Sequence, residues 1–151
     1  MFVDSSAFLA ILGNRSDAAL LVEKIKNSRK PCQTSANVRL DVVMALAESR
    51  ADTHGVSAEA VEQATEIFDS LLQILKVCEI AVSPRIATDG CRLAAWFGQQ
   101  ADHPAKLTVQ TCLALAAAES LRLPVLHSNP AIDRITQEDW TAWRAGEERT
   151  G

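Results

Sequence analysis

Apolar residues recur along this chain with helical spacing in some segments and as short extended runs in others. The longest helical stripe follows Ser57, a residue type that caps helices, and its spacing predicts one buried face: Val61, Ala64, Phe68, Leu71, Leu72 and Leu75. Helices are predicted at about 7–12, 16–28, from 35 or 37 to 50, 57–75, 83–97, 108–121 and from 136 onward. Strands are predicted at 1–3, 32–35, 79–82 and 123–127.

Short strands that alternate with helices indicate an α/β fold, in which helices cover both faces of a parallel sheet. Residues 1–145 are expected to form a single domain, and the polar residues 146–151 a mobile tail. In such sheets the functional site lies beyond the carboxyl ends of the strands. The segments of interest are therefore Asp4–Ser6, Thr34–Ser35 and His127–Ala131.

Composition narrows the class of protein. Of the 151 residues, 48% are apolar and 23% are charged, which is typical of a globular chain rather than a disordered one. No apolar run approaches the roughly 20 residues of a membrane span, and Asp4 interrupts any secretory signal pattern. The four cysteines are widely spaced among apolar neighbours, as expected of small buried side chains in a reducing compartment. We therefore expect a cytoplasmic protein with no membrane association.

The net charge of −4 does not favour bulk electrostatic binding of nucleic acid. It remains compatible with a nuclease whose acids surround a metal ion. Four cations nevertheless crowd the end of the second predicted helix: Lys24, Lys26, Arg29 and Lys30. They either contact RNA phosphates or simply offset the partial negative charge of a helix C-terminus.

Two aspartates occupy positions suited to metal chemistry. Asp4 ends the first strand, where it either caps the next helix or has a metal-binding or catalytic role. Asp41 lies three residues after Val38 and four before Ala45. It therefore projects along an apolar stripe, where a carboxylate is costly unless it is paired or metal-bound, or it lies at the rim and reaches water. Two such carboxylates could hold one Mg²⁺, whereas a two-metal site needs more acids.

Four segments, in order and spacing over nearly the whole chain, resemble the PIN domains of VapC-type toxins: Phe2–Ala7, Thr34–Asp41, His103–Ala118 and Leu123–Leu126. The resemblance implies a three-layer α/β/α sandwich with a short central parallel sheet. It also implies a ribonuclease of a toxin–antitoxin pair. Such a protein cuts RNA with Mg²⁺ or Mn²⁺, is commonly a homodimer and is inhibited by a small antitoxin protein.

The site of that family is a cluster of four acids, of which this chain keeps two. The resemblance places the first acid at Asp4 and the second, usually Glu, at Asp41, so these are the expected catalytic and metal-binding residues. The third acid falls on Thr111 and the fourth on Ala131. Asp133 is displaced by two positions and replaces the fourth acid only if the loop shifts.

The loss of two carboxylates changes what the site is expected to do. A threonine hydroxyl is a weak ligand and cannot act as a general base at neutral pH. We therefore expect an RNA-directed PIN domain with weak or lost nuclease activity, which uses Mg²⁺ or Mn²⁺ only if catalysis persists. The alternative is an active metal-dependent endoribonuclease with a reduced carboxylate set. Further candidates for RNA contact are Ser5, Ser6, Thr34 and His127.

Overall fold

Four short strands form one parallel sheet in the computed structural model, which describes residues 1–51, 53 and 55–146. The strands are β1 (Phe2–Val3), β2 (Gln33–Ser35), β3 (Cys78–Ile80) and β4 (Val125–Leu126). Their order across the sheet is β3–β2–β1–β4, and each neighbouring pair is parallel. The sheet confirms the predicted α/β class.

The described residues form seven α-helices: α1 (Ser5–Leu12), α2 (Ala18–Lys26), α3 (Ala36–Glu48), α4 (Ala58–Leu75), α5 (Pro84–Phe97), α6 (Val109–Ser120) and α7 (Gln137–Ala145). The caps predicted at Ser57 and Thr136 are confirmed, since each hydroxyl accepts a backbone N–H of the following turn. The predicted start of α2 at Ser16 is wrong, because Asp17 occupies the cap position. A 3₁₀ turn at Ile132–Arg134, which the pattern did not predict, separates β4 from α7.

The chain order places helices on both faces of the sheet. From β1 to β3 the chain advances in one direction, and it then returns to place β4 on the other side of β1. Because such crossovers are right-handed, α1 to α4 cover one face, and α5 and α6 cover the other. Gly90 allows the close approach of α5 and α6, since a Cβ there would lie 3.1 Å from Leu113 Cδ1. The result is the predicted three-layer α/β/α sandwich.

The core lies between the sheet and these helices. The α4 stripe supplies Ala64 and Phe68, both completely buried, and the Phe68 ring meets that of Phe8 edge-on at 5.1 Å. The prediction of buried cysteines is confirmed for Cys32 and Cys112 and wrong for the other two, Cys78 and Cys91, which are exposed. The first of these exposed cysteines lies on the edge strand β3, and the second lies on the outer side of α5.

None of the described helices has the length and apolar character that a membrane crossing requires. Gly146 ends α7 in the left-handed conformation with φ of 72°. The rest of the predicted mobile tail, residues 147–151, lies outside the described residues.

The direction of chain progression reverses between β1 and β4, and a crevice opens at such a point beyond the carboxyl ends of the strands. Asp4 directly follows β1 at this crevice.

Candidate functional site

Asp4 is 1% exposed at the carboxyl end of β1. Its Oδ2 accepts hydrogen bonds from the backbone N–H of Ser6 at 3.1 Å and from the Ser6 hydroxyl at 2.5 Å. Its Oδ1 is equally buried but has no hydrogen-bond partner. The two roles considered for Asp4 are therefore compatible, because one oxygen caps α1 while the other is available to a ligand.

The surroundings of Asp4 disfavour the charged form of its carboxyl group. Burial raises the pKa of this carboxyl group above its usual value of 3.8, and the negative charge of Asp41 raises it further, while hydrogen bonds from Ser6 and Ser5 oppose the rise. Asp41 itself is half-buried on α3. The structure thus brings the two predicted carboxylates within interaction range, in an arrangement that a cation would stabilise.

The position of the third acid is occupied by Thr111, a buried residue in the first turn of α6. Its backbone N–H donates to Thr108 Oγ1 at 3.1 Å, and its hydroxyl lies 2.9 Å from the same Oγ1. The hydroxyl is therefore part of a helix cap. This turn is tied to α3, since Asn37 Nδ2 donates to the Gln110 carbonyl at 3.3 Å. Thr111 accordingly lies near the start of α3 and supplies no charge.

The position of the fourth acid is occupied by Ala131, whose side chain has no donor atom. Its backbone N–H donates to Asn129 Oδ1 at 3.0 Å, which fixes the loop after β4. The side chain of Asp133 is 72% exposed, and its Oδ1 lies 3.7 Å from His127 Nε2. Across the part of the chain that the structure describes, no three His, Cys, Asp or Glu side chains come together as a metal site. The structure pairs Asp133 with His127, and the hypothesis that Asp133 substitutes for the missing acid stays a prediction.

The remaining donors fit one divalent cation and not two. Asp4 Oδ1 is a buried carboxylate oxygen without a partner, and Asp41 is close enough to perturb its pKa. Mg²⁺ accepts one or two protein carboxylates and completes its octahedron with water and phosphate oxygens. Two ions about 4 Å apart would need further acids, and Thr111 and Ala131 do not provide them.

The residues suggested for RNA contact differ in accessibility. Thr34 is completely buried, and its hydroxyl donates to the Val3 carbonyl at 3.0 Å. This corrects the expectation of an RNA contact there, since Thr34 joins β1 to β2 instead. Ser5 is 7% exposed. Ser6 and His127 are half-buried at the crevice, and His127 Nδ1 is buried without a partner, so these two side chains are the better placed.

Sequence patterns did not identify the residues that hold Asp4 in place. The Ser6 hydroxyl, which donates to Asp4, accepts the backbone N–H of Ser128 at 3.1 Å. The Ser128 hydroxyl in turn donates to Asp17 Oδ2. These bonds link the loop after β4 to the starts of α1 and α2. Nothing in the local sequence could have found them, because the partners are more than 100 residues apart along the chain.

Two known proteins are similar to this chain. A curated VapC ribonuclease from Rhizobium meliloti (strain 1021) is 29% identical over 129 residues, which are 83% of this chain and 91% of that protein. No family model matches the chain. The crystal structure of VapC20 of Mycobacterium tuberculosis, a toxin that cleaves the sarcin–ricin loop, is similar in fold, with a TM-score of 0.55 and 16% sequence identity. The similarity covers 81% of this chain and 83% of that one. Sequence and fold therefore agree that the chain is similar to the PIN-domain proteins of the VapC type.

Proposed function

We propose that this VapC-like protein is the RNA-directed member of a toxin–antitoxin pair, and that its phosphodiester cleavage is weak or lost. One observation carries the proposal. Thr111 stands where a third acid would lie, and its hydroxyl is held in a cap with Thr108 instead. Two carboxylates attract divalent cations less strongly than four, and the Thr111 hydroxyl cannot act as a general base at neutral pH.

The residues that remain have distinct roles in this proposal. Asp4 Oδ1 and Asp41 hold a single Mg²⁺ or Mn²⁺, which when bound offsets the negative charge of an RNA phosphate. Ser6 keeps Asp4 in position through its two hydrogen bonds. His127, at the end of β4, lies where an RNA strand over the crevice would pass. Binding of RNA is thereby retained, whereas an acid at position 111 that could take part in proton transfer, a step that usually contributes about 10²–10⁴-fold to a rate, is missing.

The alternative is an active Mg²⁺- or Mn²⁺-dependent endoribonuclease that works with the reduced carboxylate set. The unpaired, buried Oδ1 of Asp4 favours this alternative, because a carboxylate kept at such a cost is typical of functional sites. A cation held by Asp4 and Asp41 would supply Lewis-acid chemistry at this site when bound. The two candidate functions share one cation site and differ in the rate of cleavage.

The proposal extends to partners and location. A small antitoxin protein and a homodimer are proposed from the VapC relationship. A cytoplasmic location is proposed from the four cysteines, none of which is paired in the structure. We also propose that residues 1–145 form one domain. This is supported by a single hydrophobic cluster, whose members run from Phe2 to Trp143.

A combined binding and cleavage assay tests the proposal. With a labelled RNA and saturating Mn²⁺, we expect binding to persist, and we expect the cleavage rate to lie within about tenfold of that of Asp4→Ala, since the acids expected at positions 111 and 131 are absent. Asp133→Ala is the matched control: an exposed acid on the same side of the fold, whose loss should leave Mn²⁺ affinity unchanged. Efficient, metal-dependent cleavage that Asp4→Ala abolishes would establish the alternative.

A further inference from the structure

A cationic pocket lies at the opposite edge of the sheet from Asp4. The segment from the end of α2 into β2 and the segment from the end of α4 into β3 are neighbours there, since Cys78 N–H donates to the Cys32 carbonyl at 2.9 Å. Together they enclose a cavity of about 470 Å³. Because both segments precede their strands, the pocket is separated from the crevice by the length of the sheet.

The charged residues that line this pocket are all cationic. Four cationic side chains line it: Lys26, Arg29, Lys30 and Lys76. All four are exposed, no acidic residue lines the cavity, and none of the four forms a salt bridge within the described residues. A local excess of positive charge on a chain of net charge −4 concentrates anions at this place.

Helix ends explain only part of this charge. Lys26 lies in the last turn of α2, and Lys76 is the C-cap of α4. Cations at those positions are favourable because they offset the partial negative charge of a helix C-terminus. That effect falls off within one turn, and Arg29 and Lys30 lie beyond the end of α2. These two cations therefore need another explanation.

The floor of the pocket is apolar. Ile25, Cys32 and Leu75 are buried beneath it, while Ile74 is 69% exposed at its side. A cavity with an apolar floor and a cationic rim is complementary to an apolar side chain flanked by carboxylates. No aromatic ring lines the cavity, so it lacks the surfaces on which RNA bases usually stack. The chemistry therefore favours a peptide over a nucleic acid.

We propose that this pocket docks an acidic segment of a partner protein, with an apolar side chain inserted between Arg29, Lys30 and Ile74. The peptide carboxylates meet the cations of the rim, and the apolar side chain covers Ile74. Docking here leaves the Asp4 crevice open, so a partner bound at the pocket and RNA at the crevice can be present together. Docking of a partner at the pocket does not require that the protein cleave RNA.

Fluorescence anisotropy with the full chain tests the proposal, using fluorescein-labelled Glu-Asp-Leu-Leu-Asp-Glu as the probe. Arg29→Glu combined with Lys30→Glu should weaken binding by about tenfold or more, because two favourable charge contacts become repulsive. Arg50→Glu combined with Arg85→Glu is the matched control, since it makes the same charge change at exposed sites outside the pocket and should have little effect. Ile74→Ser should weaken binding about threefold at unchanged charge.

Several outcomes would overturn the proposal. Absence of peptide binding at millimolar concentration would do so, as would equal losses in the pocket variant and the control. Labelled hexauridylate is measured in parallel. If it binds more tightly than the peptide and loses binding in the pocket variant, the pocket is an RNA site and the peptide proposal is rejected. Circular dichroism of each variant establishes that it is folded before its binding is compared.

Discussion

Thr111→Asp combined with Ala131→Asp should raise the affinity for Mn²⁺ and should raise the rate of RNA cleavage by about 10²-fold or more. The reason is the restored charge and the added oxygen ligands. Thr111 lies in the first turn of α6, which Asn37 ties to α3 beside Asp41. We expect an acid there to face the same crevice as Asp4. Calorimetric titration and a labelled-RNA assay measure the two effects.

The same double variant should be less stable than the natural chain when no metal is present. Four carboxylates would then repel one another in a crevice where Asp4 is already almost completely buried. Saturating Mn²⁺ should recover the lost melting temperature, because a ligand that binds only the folded state stabilises it. Thr88→Asp with Ala87→Asp is the matched control, since both residues are exposed on α5. If the site variant gains no more Mn²⁺ affinity than this control, the placement of the third and fourth positions is wrong.

Asp4→Asn should raise the free energy of unfolding at pH 7.5 by on the order of 1 kcal/mol, because it removes a buried charge. Asn is also a good N-cap residue, and its side-chain oxygen can still accept the hydrogen bonds from Ser6. Asp4→Ala serves as the comparison, because it removes the same charge but also the cap, at a cost of about 1 kcal/mol. Urea denaturation of the natural chain and the two variants measures the order of their free energies of unfolding.

The effect of Asp4→Asn should depend on pH in a defined direction. The pKa of Asp4 in the folded protein is raised above 3.8, so the folded state holds this proton more tightly than the unfolded state. Its contribution to stability is complete below about pH 3.8 and is lost as the pH rises through the raised pKa. Asn does not titrate, so the advantage of the variant should be small near pH 4 and grow toward neutral pH. An advantage that shrinks as the pH rises would show that the charge of Asp4 is stabilised by some other group.

Bound Mn²⁺ should make the natural chain more stable than Asp4→Asn, the reverse of the order without metal. With Mn²⁺ at 100 times its dissociation constant, the natural chain gains about 2.7 kcal/mol, whereas Asp4→Asn gains little. A carboxylate that destabilises the free protein and stabilises the metal-bound one is typical of a functional site, where stability is exchanged for activity. Equal gains in the two proteins would place the metal elsewhere.

Local features of the sequence predicted much of the fold. The hydroxyl caps of α4 and α7 are confirmed because a cap depends on residues only three positions apart. The α4 stripe is confirmed for Ala64, Phe68, Leu72 and Leu75, while Val61 and Leu71 are only half-buried, because helical spacing decides which side is buried. The start of α2 was wrong because Ser16 and Asp17 are both capping residue types, so the pattern could not choose between them.

The site was predictable only in part. Asp4 and Asp41 could be predicted as site residues because Asp4 ends a short strand and Asp41 lies on the apolar stripe of its helix. The direction of Asp133 could not be predicted, because it depends on a 3₁₀ turn and on the distant end of β4. The link from Ser6 through Ser128 was equally hidden, because its bonds join segments that are close only after folding.

Calorimetric titration of Mn²⁺ into the natural chain is the most direct test of the two-carboxylate site. We expect one ion per chain, with binding lost in Asp4→Asn and unchanged in Asp133→Ala. Two tightly bound ions, or one ion whose affinity does not depend on Asp4, would contradict the site described for this protein.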